Sequence, residues 1–140
     1  MKFNGLMPEL YVSDYKKSLT FYVDLLDFTL EYDRIDPPFA FLSYGEAQLM
    51  IQQQEKDDRH TGALEHPYGR GINFQIRTSD INTVVEKLTR SNYPIRRGIK
   101  ESKRKAGEIF VIEREIHVLD PDGYFLRFSE EIRQQPYLKG

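Results

Sequence analysis

The feature of this sequence that most restricts its fold is an internal repeat. Residues 5–14 (GLMPELYVSD) and residues 71–80 (GINFQIRTSD) each contain a short strand-like run that ends in a Ser-Asp pair, and each position of the second lies 66 residues after its counterpart in the first. A repeat of this length indicates that one supersecondary unit occurs twice. We therefore expect two similar modules.

Apolar residues recur at helical spacing after each Ser-Asp pair. They fall at i, i+3, i+4 and i+7, which predicts a helix with one face packed on a sheet. The positions are Leu19, Tyr22, Val23 and Leu26 in the first repeat and Ile81, Val84, Val85 and Leu88 in the second. Either member of each pair, Ser13 or Asp14 and Ser79 or Asp80, can cap its helix by accepting hydrogen bonds from N–H groups of the first turn. Pro94 is expected to end the second helical region.

Three strand candidates follow each helix. They are about Thr29–Asp33, Phe39–Tyr44 and Ala47–Gln53 in the first repeat, and about Ile95–Lys100, Ile109–Leu119 and Tyr124–Phe128 in the second. Turn residues separate them, most clearly in the segment Asp120-Pro121-Asp122-Gly123. The basic run at residues 100–105 (KESKRK) is interpreted as a solvated loop. The pattern predicts an α+β fold of two βαβββ modules, whose eight strands form a curved mixed sheet arrangement around a cavity.

The chain is predicted to be a single domain over residues 1–140, with a first module at 5–54 and a second at 71–129. Residues 55–70 are polar and contain turn residues, so they are expected to form the linker, and residues 130–140 a C-terminal tail.

Composition removes several classes of function. The chain has no cysteine, which excludes disulfides, thiolate metal sites and cysteine nucleophiles. A net charge of −2 gives no reason to expect binding to nucleic acid or to an anionic membrane. No apolar run approaches the roughly 18 residues of a membrane span, and no signal-peptide pattern is visible. We therefore expect a cytoplasmic protein.

Several motifs together resemble a known family. Val12-Ser13-Asp14, Phe21-Tyr22 and Leu25-Leu26-Asp27-Phe28 resemble the start of modules of the glyoxalase / bleomycin-resistance (vicinal oxygen chelate) superfamily, and the segment Asp120–Phe128 (DPDGYFLRF) resembles its last hairpin. The resemblance covers nearly the whole chain. It implies the same fold, but it does not by itself imply a function, because the superfamily includes metal-dependent lyases, isomerases and dioxygenases as well as proteins that sequester antibiotics without catalysis.

Alternation along the strands predicts which side chains line the cavity. The apolar sets Leu6, Pro8, Leu10, Val12 and Ile72, Phe74, Ile76 are expected to face the helices. The opposite faces are then predicted to form a ligand-binding surface, apolar and aromatic with a few polar groups, as is usual for a small-molecule site. The predicted ligand-binding residues are Met7, Glu9, Tyr11, Met50, Gln52, Asn73, Gln75, His117, Phe125 and Arg127. Further aromatic residues, among them Phe39 and Phe41, are available for stacking.

The resemblance also locates the positions where metal-dependent relatives hold a divalent ion. Matched by motif, these positions are Met7, Asn73 and Arg127, with Gln52 as the fourth. None is a carboxylate or an imidazole, which are the donors such an ion requires, and an arginine does not deprotonate. We therefore predict no metal at these positions, no cofactor and no catalytic residue. A displaced metal site that uses Glu9, Gln52 and His117 stays open as an alternative.

These observations favour a small-molecule-binding protein of the bleomycin-resistance type. It would sequester a bleomycin-like antibiotic or an unknown metabolite, and the resemblance implies a homodimer. The alternative is a metal-dependent lyase, isomerase or dioxygenase with an altered metal site. A third hypothesis is a metal-free enzyme or a sensor, with Glu9 and His117 as acid–base groups. Glu9 and Arg127 can also form a purely structural ion pair.

Overall fold

The two halves of the chain contain the same succession of elements. The computed structural model describes residues 1–56 and 60–137. The first half has strand β1 (Glu9–Val12), helix α1 (Tyr15–Leu19) with a π-helical continuation (Thr20–Leu25), and strands β2 (Thr29–Ile35), β3 (Pro38–Tyr44) and β4 (Ala47–Gln53). The second has β5 (Asn73–Arg77), α2 (Ile81–Arg90), β6 (Arg97–Ala106), β7 (Ile109–Leu119) and β8 (Phe125–Pro136).

Each half forms one four-stranded mixed sheet with the same strand order. The first sheet runs β1-β4-β3-β2 and the second runs β5-β8-β7-β6. In both, the first strand pairs in parallel with the last, and the remaining pairs are antiparallel. The predicted α+β class with two βαβββ modules is therefore confirmed.

The chain contains two compact units that do not coincide with the two repeats. The first comprises Met1–Gly71 together with Asp120–Tyr124, and the second comprises Ile72–Leu119 together with the described residues from Phe125 onward. The turn Asp120–Gly123 thus belongs to the first unit although its sequence lies in the second repeat. Residues 57–59 of the predicted linker and residues 138–140 of the predicted tail lie outside the described residues.

Aspartate, rather than serine, caps both helices. The side chain of Asp14 accepts a hydrogen bond from the N–H of Lys17, and the side chain of Asp80 accepts from those of Asn82 and Thr83. Ser13 has another role, because its backbone N–H donates to the carboxylate of Asp122 at 2.9 Å. Helix α2 ends at Arg90, before Pro94.

The buried face of the first helix differs from the predicted one. Tyr22 and Leu26 are buried as expected, but Ser18 and Phe21 are buried where Leu19 and Val23 were predicted. The reason is the π-helical turn, in which the N–H of Leu26 donates to the carbonyl of Phe21 at 3.1 Å. A π turn contains one residue more than an α turn. If Leu26 is taken as the reference, the buried positions before it are therefore one residue earlier than in a regular α-helix. Helix α2 has no such turn, and it buries Ile81, Val84 and Leu88 as predicted.

Two apolar residues expected to face the helices are exposed. Leu6 is 79 % exposed and Ile72 is 53 % exposed. They precede β1 and β5, which begin at Glu9 and Asn73, so the strand alternation does not extend to them. Within the strands the prediction holds, since Leu10 and Ile76 are buried.

The basic run at residues 100–105 is a strand, which corrects its interpretation as a loop. It lies within β6, the edge strand of the second sheet, and pairs with β7 from Arg97↔His117 to Ala106↔Ile109. Charged residues are tolerated on an edge strand because one side of it faces solvent. Strand β8 likewise continues to Pro136 through residues assigned to the tail, since it pairs with the full length of β7.

The turn Asp120–Gly123 is held by buried hydrogen bonds within the first unit. The Oδ1 atom of Asp120 accepts from the N–H groups of Asp122 and Tyr124, both at 2.9 Å, and its Oδ2 accepts from the hydroxyl of Tyr22 at 2.8 Å. Burial raises the pKa of Asp120 to about 6, although these hydrogen bonds act to lower it. Gly123 has φ +94°, and a Cβ there would lie 2.5 Å from Cβ of Pro67.

No helix in the described part of the chain is long and apolar enough to cross a membrane.

Candidate functional site

The predicted ligand-binding residues are divided between the two units. Glu9, Tyr11, Met50 and Gln52 belong to the first, where Glu9 pairs with Met50 and Tyr11 with Gln52 in the parallel β1–β4 ladder. Paired residues point to the same side of a sheet, so these four side chains share one face. Met7 precedes β1 and is 37 % exposed.

The aromatic residues on this face of the first sheet pack against one another. The ring of Tyr32 stacks on that of Phe41, with centroids 5.3 Å apart and planes inclined by 9°. The guanidinium of Arg34 lies 4.5 Å from the ring centroid of Phe39. Phe39 and Phe41 are buried, so they form part of the packing and are not free to stack on a ligand.

The other five predicted residues belong to the second unit and share one face of its sheet. Asn73 pairs with Phe125, Gln75 pairs with Arg127, and Arg127 also pairs with His117 on β7. Four of them line a hollow of about 350 Å³. Gln75 does not line it, because its amide donates to the hydroxyl of Ser129 at 3.1 Å.

The hollow is formed by four neighbouring strands of one sheet. Strands β5 and β8 supply the amide, the aromatic ring and one guanidinium, and strands β7 and β6 supply the remaining polar groups. The lining residues are Asn73, Arg97, Lys100, Ser102, Arg104, Glu115, His117, Phe125 and Arg127. Its volume falls at the lower end of the range for small-molecule sites, roughly 300–1,000 Å³.

A hydrogen-bonded cluster around Arg127 forms the base of this hollow. The guanidinium holds both carboxylate oxygens of Glu115, with Nε on Oε1 and Nη2 on Oε2 at 3.1 Å. Its Nη1 donates to Oδ1 of Asn73 at 3.2 Å. Nε2 of His117 lies 3.0 Å from Oε1 of Glu115. The ion-pair partner of Arg127 within its own unit is therefore Glu115.

The cluster keeps Glu115 ionised. Burial alone would raise the pKa of this carboxyl, but the hydrogen bonds from Arg127 and His117 and their charges outweigh it, and the pKa is lowered below its ordinary value of 4.5. The hydrogen bonds to Glu115 raise the pKa of Arg127 in turn. The two groups thus form a bidentate, charge-assisted pair.

This donor set does not suit a divalent cation. Asn73 and Arg127, the two metal positions that the resemblance places in this unit, meet here as an amide and a guanidinium. Arg127 occupies both oxygens of Glu115, which is the one carboxylate that lines the hollow in the described part of the chain, and it adds a fixed positive charge. Among the described residues, no three side chains of His, Asp or Glu converge as metal ligands. Of the residues considered for a displaced site, His117 lines this hollow, whereas Glu9 and Gln52 belong to the first unit, and that site stays an untested alternative.

Sequence reasoning missed four ionisable lining residues. Glu115 carries a detectable signal, because it lies two residues before His117 and so shares its face of β7. Arg97 and Lys100 lie in the predicted strand Ile95–Lys100, for which no inward and outward faces were assigned, and Arg104 lies in the segment 100–105 that was interpreted as a loop. Treating that segment as a strand would have placed Lys100 and Arg104 on one face.

Comparison with known proteins agrees with the fold. The family model described as "Glyoxalase/Bleomycin resistance protein/Dioxygenase superfamily" matches residues 4–128. No curated protein matches the sequence significantly.

Solved structures of low sequence identity share this architecture. A virulence protein from Salmonella typhimurium is similar over 94 % of this chain and 100 % of its own, with 23 % identity and a TM-score of 0.68. A glyoxalase/bleomycin resistance protein/dioxygenase from Alicyclobacillus acidocaldarius is similar over 93 % and 92 %, with 18 % identity and a TM-score of 0.64. A lactoylglutathione lyase from Agrobacterium tumefaciens is similar over 93 % and 95 %, with 15 % identity and a TM-score of 0.61. At these identities the likeness concerns the fold alone.

Proposed function

The chain belongs to the glyoxalase/bleomycin resistance protein/dioxygenase superfamily, and from that premise we propose that it binds a small molecule without metal catalysis. The observation that carries the proposal is the pairing of Arg127 with Glu115 and Asn73. A guanidinium lies where metal-dependent relatives are expected to place a carboxylate ligand, and it uses the neighbouring carboxylate as its own partner.

The rest of the hollow supports binding rather than chemistry. The carboxylate of Glu115 is held ionised by a strong cation, so it is a poor proton acceptor at neutral pH. The imidazole of His117 contacts that carboxylate through Nε2 and packs edge-on against the ring of Phe125, with centroids 4.9 Å apart. Fixed polar groups beside an aromatic ring can orient a ligand.

The proposal includes the remaining expectations from the sequence. The protein would act in the cytoplasm as a homodimer and sequester a bleomycin-like antibiotic or an unknown metabolite. Sedimentation equilibrium of the purified protein tests the dimer directly. A monomer at micromolar concentration would contradict it.

Calorimetric titration with metal-free and copper-bound bleomycin tests the antibiotic. A dissociation constant well below about 100 μM for either form would support sequestration. Weaker binding of both forms would exclude the bleomycin type, because about −5.5 kcal/mol is too little to sequester a drug.

Elemental analysis of natively purified protein tests the absence of metal catalysis. We expect less than about a tenth of an equivalent of any transition metal, and no gain in thermal stability on adding Ni²⁺, Mn²⁺, Zn²⁺ or Fe²⁺, because an ion bound to the folded state would stabilise it. An ion bound in one-to-one ratio, and lost on substitution of Glu115 or His117, would contradict the proposal and favour an enzyme with an altered metal site.

A further inference from the structure

The hollow of the second unit has an excess of positive charge. Among residues 1–56 and 60–137, four cationic side chains line it, against one carboxylate. Glu115 neutralises Arg127, and the buried Glu113 pairs with Arg104. Within the part of the chain that the structure describes, neither Arg97 nor Lys100 has a carboxylate partner. These two charges remain available to an anion.

The side chain of Arg97 also contains a hydrogen-bond donor without an acceptor among the described residues. Its Nε is shielded from solvent, yet among the described residues it has no hydrogen-bond acceptor. Buried polar groups of proteins are nearly always paired, so a buried donor without an acceptor requires an explanation. A ligand acceptor would provide one once the side chain of Arg97 turned to expose this nitrogen.

An irregularity in β6 places both residues on the hollow. Arg97 and Lys100 are three positions apart, so in a regular strand they would point to opposite faces of the sheet. The pairing of β6 with β7 shifts register between them, with Arg97 opposite His117 and Lys100 opposite Glu115. Such bulges re-aim side chains and occur often beside functional sites.

One aromatic ring lines the same hollow as Arg97 and Lys100. The ring of Phe125 lines the hollow, and the guanidinium of Arg96 lies 5.4 Å from its centroid. A flat ligand can lie against such a ring, while a guanidinium and an ammonium hold its charged end.

We infer that the hollow binds a small planar carboxylate, an aromatic or conjugated acid whose carboxylate contacts Arg97 and Lys100 and whose ring packs on Phe125. This inference rests on the proposed function, and of the two ligands named there it specifies the class of the unknown metabolite. A cationic ligand of the bleomycin kind would instead meet like charges in this hollow.

Three probes of the same shape and different charge test the inference. Calorimetry would compare 2-naphthoate, its neutral amide 2-naphthamide and its cationic amidine 2-naphthamidine, on wild type and on R97Q, K100Q and R133Q. Arg133 is exposed in β8 of the same unit and does not line the hollow, so R133Q is the matched charge control. We expect naphthoate to bind at least about tenfold more tightly than naphthamide, and the amidine most weakly. R97Q should abolish this preference, K100Q should reduce it, and R133Q should retain it.

The outcomes separate this inference from the proposed function. Equal affinity for the acid and the amide, or tighter binding of the amidine, would overturn the anion site and leave small-molecule binding intact. A preference for the acid that survives R97Q would also overturn it, because the selectivity would then come from elsewhere. Binding of none of the three below about 1 mM would reject the planar carboxylate, and the proposed function would then depend on the bleomycin titrations and the metal analysis alone.

Discussion

Removing the ion pair between Arg127 and Glu115 should destabilise the second unit. Most of the lost stability should come from the interaction between the two side chains, so the effects of the two substitutions should not add. Glu115 is 6 % exposed and is held by two hydrogen bonds from the guanidinium. Removing one partner of a buried pair costs roughly 3–5 kcal/mol, whereas an exposed pair contributes about 0.2–1 kcal/mol. The side chain of Arg127 is 21 % exposed, so water screens part of the interaction. We therefore expect R127Q and E115Q each to cost about 2–3 kcal/mol, and the double variant to cost about 2 kcal/mol less than the sum of the two.

The pH dependence of this coupling has a definite sign. The pKa of Glu115 is lowered in the folded state, so its contribution to stability is present above the ordinary value of 4.5 and is lost as the pH falls through the folded value. The coupling should be complete at pH 7 and should decrease as the pH falls below 4.5.

Native-state hydrogen exchange of the β7 and β8 amides is the suitable measurement. A chain with two units need not unfold in one step, so a global transition does not report on the second unit alone. R133Q removes an arginine from the same unit without touching the pair, and it serves as the control. A coupling energy below about 0.5 kcal/mol at pH 7, or one that does not decrease as the pH falls below 4.5, would refute the reasoning.

Three further outcomes follow from the described contacts. The folded pKa of Asp120, about 6, lies above its ordinary value of 3.8, so its stabilising effect is complete at low pH and is lost as the pH rises through 6. In urea unfolding, the free energy of unfolding of wild type should fall by up to about 3 kcal/mol between pH 4 and pH 8 relative to that of D120N. A difference between the two proteins that stays constant with pH would contradict this. G123A should lower the free energy of unfolding by about 2–4 kcal/mol because its Cβ would collide with Pro67, whereas G45A, whose Cβ would have nothing within 4 Å, should lower it by about 1 kcal/mol. Equal losses in the two variants would count against the close contact at Gly123. R127E should place a carboxylate beside Glu115 and His117 and raise the affinity for Zn²⁺ at least about tenfold by calorimetry, while R127Q should not. No gain in R127E would show that the arginine is not what excludes a metal.

Much of the fold could be predicted because the signals are local. Helix caps, turn residues and the alternation of β4 and β7 depend on side chains a few positions apart, and Ala47–Gln53 and Ile109–Leu119 were located to the residue. The misplaced helix face came from one π turn, which changes the period within the helix. The misread segment 100–105 came from its charge, since an edge strand can carry lysine and arginine that a central strand would not.

The candidate site was harder to predict because its contacts join strands that are distant in sequence. Alternation could assign Arg127 and His117 to one face, but it could not show that Glu115 would accept from two nitrogens of the guanidinium, since that depends on the register of β7 on β8. The orientation of Arg97 depends on a shift in register between β6 and β7 that no local pattern in the sequence announces.

The sequence by itself thus determined the repeat, the order of the elements and the absence of usual metal donors at the expected positions, because periodicity, backbone preference and side-chain chemistry are properties of neighbouring residues. Only the tertiary structure decided which charges are satisfied and which remain available. Tyr22 meets Asp120 across 98 residues, and Arg127 meets Asn73 across 54. The energy of a charge depends on distance and burial, and folding sets both.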